Sequence, residues 1–195
     1  MGLSPREVWG VVLWVLYPLF ICLFTGICTA YADWRQWYCS LQRSPYSPAS
    51  WVFGIVWPAL YALMSISGAL VYALGDQYKG LMHAALAFHF AQLVFVALWT
   101  PVFFYARRIQ LAMIVIVVAF VLSAVACILS AIVTPWTLLC YLPYLAWLAF
   151  AGGVLNLYVV QYNDVELNDK WFDVRTEHPQ ERDLSNLTGE SSSHQ

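Results

Sequence analysis

The chain has 195 residues, 62% of them hydrophobic and only 10% charged, with a mean hydropathy of +0.66. Soluble domains carry about 25% charge, so this composition excludes a single water-soluble globule and selects the integral-membrane class. A net charge of −2 excludes the basic footprint of a nucleic-acid-binding protein.

Five apolar runs follow one another at about 8–32, 51–74, 81–106, 111–133 and 137–162, and none holds Asp, Glu, Lys or Arg. Each is long enough to cross about 30 Å of hydrocarbon. In lipid such runs must be helices, because every backbone amide needs a partner within the chain. The expected fold is all-α: a five-transmembrane-helix bundle with a central ligand cavity.

The first run is preceded by Arg6 and ends in Ala30-Tyr31-Ala32, which mimics a signal-peptidase site. It is far longer than the roughly 7–15 residues of a signal core, so it is retained as a helix. Gly26 and Ala30 form a small-xxx-small pair that predicts a helix contact or a homodimer contact.

Residues 33–50 are the one long link, with the polar, proline-punctuated stretch Arg43-Ser44-Pro45-Tyr46-Ser47-Pro48, and they are expected to fold over one face as a lid. The second run comes next, with Trp57-Pro58 at lipid depth. The third carries His89 and Gln92 at i, i+3, read as an interhelical hydrogen-bonding pair. The fourth lacks proline and reads as a plain packing or lipid-facing helix. The fifth holds Asn156, a candidate for interhelical glue or ligand contact.

Pro18, Pro58, Pro101 and Pro143 each remove a helical hydrogen bond, and helices kinked this way splay and leave space between them. Trp57 lies about 9 Å and Trp99 about 10 Å inside their spans, at about 1.5 Å per residue, with Trp147 near the middle of the fifth. Indoles normally sit at headgroup level, so these three deeper ones beneath the long link read either as the wall of an aromatic cavity or as aromatic core packing.

The five cysteines show no metal spacing and no disulfide framework, and no metal site is expected. No nucleophile with a base, intramembrane carboxylate pair or phosphate loop is present. The side holding the long link and the C-terminus carries seven basic residues against two, which predicts a cytosolic C-terminus. Residues 1–164 are read as the membrane domain. Residues 165–195 are read as an acidic, disordered cytosolic tail.

Three blocks then resemble the translocator protein (TspO/MBR, peripheral benzodiazepine receptor) family. The first is Trp37-Tyr38 with Leu41, Trp51, Trp57, Leu60-Tyr61 and Met64. The second is Gln92-Leu93 followed by Leu98-Trp99-Thr100-Pro101-Val102-Phe103-Phe104 and Ala106-Arg107. The third runs from Leu142 through Pro143-Tyr144-Leu145-Ala146-Trp147 to Ala151, then Val154-Leu155-Asn156 and Asn163-Asp164.

The resemblance implies a loop-capped cavity for porphyrins and other tetrapyrroles, and in animals for cholesterol and benzodiazepine-type ligands. It also implies the mitochondrial outer membrane in eukaryotes. Family cavity tryptophans match Trp57 and Trp147, with Trp99 matching a third. Phe53, Gly54, Val56, Ala151 and Leu155 match pocket-lining positions. Tyr61 and Asn156 complete the expected ligand set, and Tyr38, Pro45, Tyr46 and Pro48 the lid. A porphyrin or haem-type tetrapyrrole would be a ligand here rather than a cofactor.

The chain departs from the family at Tyr46, where Trp is usual, at Ala49, where a second Pro is frequent, and at Val96, where Asn is common. Gly152-Gly153 adds one residue, which turns a helix by about 100° and calls for a bulge to restore the face. Val159-Val160-Gln161-Tyr162 supplies no basic residue after Tyr158, which argues against the animal cholesterol motif.

The leading expectation is a membrane binding protein for flat hydrophobic ligands, with a role in their transport or homeostasis. The alternatives are a light-dependent porphyrin-degrading enzyme and an interaction scaffold working through the tail.

Overall fold

The computed structural model describes residues 5–31 and 35–163, so the expected 165–195 tail lies outside the described residues. The helices are α1 (Pro5–Tyr31), α2 (Arg35–Ser40), α3 (Ser50–Leu74), α4 (Lys79–Thr100), α5 (Ile109–Val133), α6 (Leu138–Phe150) and α7 (Leu157–Tyr162). A wide π turn, Pro101–Tyr105, extends α4, and a second, Ala151–Asn156, joins α6 to α7. Five helical segments are long and apolar enough to span a membrane. The links at Asp76–Tyr78 and Pro135–Thr137 are single 3₁₀ turns, short enough to make their neighbours antiparallel.

The spans close into a ring. α1 packs on α3, α3 on α6, α6 on α5, α5 on α4, and α4 back on α1. The proline-free α5 turns Ala112, Ile116, Ala119, Ser123 and Ala126 inward, while Ile114, Val121, Ile128 and Ile132 stay exposed as a lipid-facing stripe. α1 exposes Trp9, Leu13, Leu16, Phe20 and Leu23 in the same way.

The half of the bundle away from residues 33–50 is closely packed. The Tyr72 ring occupies the space where Gly10 would carry a Cβ, so the glycine is what lets α1 approach α3. His89 Nδ1 and the Tyr141 hydroxyl share a 2.6 Å hydrogen bond between α4 and α6. Gln92 Oε1 accepts from the Tyr144 hydroxyl at 2.5 Å and lies 3.1 Å from Ser123 Oγ, so one amide ties α4, α5 and α6. His89 and Gln92 therefore join helices, as their spacing suggested.

The link at 33–50 departs from a plain loop. Residues 35–40 form α2, because buried Trp37 anchors that turn to the bundle end. Gly26 and Ala30 depart from the expected helix contact: both face a cavity, and a Cβ at Gly26 would meet nothing within 4 Å.

Replacing Gln92 by Leu strands the buried Tyr144 hydroxyl and is expected to cost about 2 kcal/mol, read as a lower unfolding temperature in detergent. Adding Tyr144→Phe is expected to return part of that loss.

Candidate functional site

At the end of the bundle nearest residues 33–50 the helices part around a cavity of about 630 Å³, within the usual range for small-molecule sites. Every span contributes, α5 through Ile116.

α3 supplies the first wall. Phe53, Gly54, Trp57, Pro58 and Tyr61 line it, with Trp57 stacked on Tyr61 at 5.7 Å between ring centroids. The opposite wall is built by the first wide turn. Proline at position 101 has no N–H to give and crowds the carbonyl of the preceding turn, and the helix widens directly after it. The turn is closed by Ala106 N–H donating to Pro101 O at 2.9 Å. It delivers Phe103 and Phe104 beside Trp99, with Phe103 stacked on the Trp99 indole at 4.9 Å.

The lid rests on this turn. Trp37 meets Phe103 edge-on at 5.3 Å, and Tyr38 meets both Phe103 and Phe104. Arg107 has φ 54°, a left-handed conformation that reverses the chain after the wide turn, and its guanidinium lies 5.8 Å from the Trp37 ring centre. Ser44 stiffens the stretch beyond α2: its carbonyl accepts from Ser47 N–H and its hydroxyl from Tyr46 N–H.

The second wide turn supplies the third wall. One extra residue rotates the remainder of a helix by about 100°, and a π turn absorbs that residue. Ala151, Leu155, Asn156 and Val159 all line the cavity as a result. Gly152 lets α5 come near, since a Cβ there would sit 3.3 Å from Ile116.

Of the residues singled out from sequence, Trp57, Trp99, Phe53, Gly54, Tyr61, Ala151, Leu155, Asn156 and Tyr38 line this cavity together. Trp147 stands behind the lining, 5.6 Å from Phe53 and 6.4 Å from Trp57, where it props both rings. Val56 packs into the core. Tyr46 is 75% exposed, and Pro45 and Pro48 also lie outside the lining. Sequence reasoning missed the α1 wall of Cys22, Thr25, Gly26, Thr29 and Ala30. It also missed Phe103, Phe104, and Arg35 and Arg43, whose charges it used only for orientation.

Two lining residues keep an unpaired polar atom. Trp99 Nε1 and Asn156 Oδ1 are buried without a hydrogen-bond partner, as is Trp147 Nε1 behind the wall. Thr25 and Thr29 by contrast return their hydroxyls to carbonyls of α1. An unpaired buried polar group costs about 1–3 kcal/mol. Among the described residues no group of His, Cys, Asp or Glu is placed to hold a metal.

Comparison with known proteins agrees with this architecture. The TspO/MBR family pattern matches residues 14–161. The tryptophan-rich sensory protein of Cereibacter sphaeroides is 33% identical over 152 residues, covering 77% of this chain and 92% of that protein. Protein CrtK of Rhodobacter capsulatus is 34% identical, over 74% of this chain and 89% of its own length. The translocator protein of Bos taurus is 30% identical, over 73% and 83%.

Because the wide turn at 151–156 absorbs one residue, deleting Gly153 is expected to leave a regular helix with Leu155 and Asn156 still on the cavity. The unfolding temperature in detergent should hold or rise. Inserting one Ala at the same place demands a second bulge and should lower it.

Proposed function

The chain belongs to the TspO/MBR family, and from that premise we propose that it binds a flat hydrophobic ligand of the tetrapyrrole class in the loop-capped cavity. The observation that carries the reading is the wall itself. Trp57, Tyr61, Trp99 and Phe103 line one space, with Asn156 among its few polar lining residues. Aromatic faces match a planar macrocycle by stacking and apolar burial.

A sterol satisfies this wall less well, having no π face, and Gln161 stands where the animal sterol motif calls for a basic residue. Binding of this kind serves the transport or homeostasis of the ligand.

Titration of the purified protein with protoporphyrin, followed by ligand absorbance, is expected to saturate. Trp57→Ala and Trp99→Ala should each weaken binding about two- to tenfold, from the roughly 0.5–1.5 kcal/mol of one aromatic contact. Trp136→Ala, on the exposed link at the other end, should leave it unchanged. Unsaturable binding, or full affinity in both cavity variants, would overturn the reading.

The charge asymmetry supports a cytosolic orientation for the lid end, in the outer mitochondrial membrane if the source cell is eukaryotic. Cys39, exposed on α2, reports this directly. In intact cells a membrane-impermeant maleimide should label it only after the plasma membrane is opened, and labelling without opening would reverse the orientation.

A further inference from the structure

The cavity is chemically lopsided. Its deep part is aromatic and aliphatic, whereas Thr29, Arg35, Arg43, Ser47 and Ser50 gather at the lid end. Among the described residues Arg35 and Arg43 are its only charged lining groups, and no acid lines it. Among those same residues neither arginine forms an ion pair, the single one there being Lys79–Asp76. Residues 33–50 carry one acid, Asp33, which lies outside the described residues.

Arginine at the cytosolic end of a span is ordinarily an orientation signal. Arg107 and Arg108 supply that signal at this same end, and Arg107 is committed to Trp37. Arg35 and Arg43 differ in where they stand, on the rim of a space large enough for a ligand. Arg43 is held there, its guanidinium 4.9 Å from the Tyr38 ring centre, with the planar fork free to take a carboxylate.

We propose that the lid end of the cavity is an anion subsite that selects ligands bearing carboxylates, with Arg35 and Arg43 as the pairing residues. This rests on reading the cavity as a tetrapyrrole site and names the subclass it prefers: acidic macrocycles over neutral ones. The flat apolar body lies among Trp57, Tyr61 and Phe103, and the acid edge stays at the open mouth. There the charges remain partly hydrated, so pairing carries little of the penalty of a buried ion pair.

The test compares protoporphyrin, which carries two carboxylates, with its dimethyl ester, which carries none, on the full chain in a non-ionic detergent. The wild type is expected to bind the diacid about tenfold more tightly, as two exposed ion pairs allow, and to lose that preference as salt is raised. The pair R35Q/R43Q should bind the diacid only as tightly as it binds the ester. R35K/R43K should recover most of the preference. Equal affinity of the wild type for the two probes would overturn the subsite while leaving the tetrapyrrole reading in place, and so would a preference that survives in R35Q/R43Q. Saturable binding of neither probe would remove both.

Discussion

Inside hydrocarbon a polar group has only the protein to bond with, and that constraint organises this molecule. It makes each span a helix and decides what each intramembrane polar side chain does. Gln92 is tolerable because Tyr144 and Ser123 reach its carbonyl, and His89 because Tyr141 reaches its ring. These bonds sit where α4, α5 and α6 meet, so the cost of placing them in lipid becomes a gain in helix register. The rule is not met at every atom: among the described residues Ser67, His89, Trp99, Ser130, Trp147 and Asn156 each keep one buried polar atom without a partner.

The two wide turns arise from the same demand. Proline at position 101 lacks the N–H that would bond the Ala97 carbonyl, and the helix widens just after it, where Ala106 N–H reaches Pro101 O. At 151–156 the extra glycine is absorbed without losing the helix, so Leu157–Tyr162 continues on the same face. Both wide turns lie at the lid end, and both carry cavity residues. Local irregularity in the backbone is thus the reason Phe103, Phe104, Leu155 and Asn156 reach one place.

Much of this was legible in the residue order. Span count and span limits come from length and charge alone, because lipid leaves the chain few alternatives. The resemblance implied one residue more at Gly152-Gly153 and a bulge to absorb it, and a wide turn is present at 151–156. Other features carried no such signal. The six-residue α2 is too short to show a hydrophobic period, and it is held by Trp37 on Phe103, a contact between positions far apart in sequence. Trp147 is one turn from Tyr144 and deep in the span, yet depth does not distinguish a ring facing the cavity from one behind it. The close approach of α3 put Phe53 and Trp57 in front. Gly26 and Ala30 show the same limit, since a small residue reads alike whether a backbone or a void stands opposite.

That ambiguity bears on why a cavity exists at all. At the far end, α1 is pinned by fit: Tyr72 fills the place of a Gly10 side chain, and Trp14 lies edge-on to His89 at 5.8 Å. At the lid end, α1 offers Thr25, Gly26, Thr29 and Ala30, and α3 offers Gly54; the space beyond Gly26 and Gly54 is open. Small residues at one end let helices touch, and at the other they leave room, because there the lid helix and the wide turns hold the spans apart. A bundle closed uniformly by large side chains would satisfy the membrane equally well, but it would have no place for a ligand. The packing is therefore asymmetric along the bundle axis, tight where His89 and Gln92 fix the register and open around Trp57, Trp99 and Asn156.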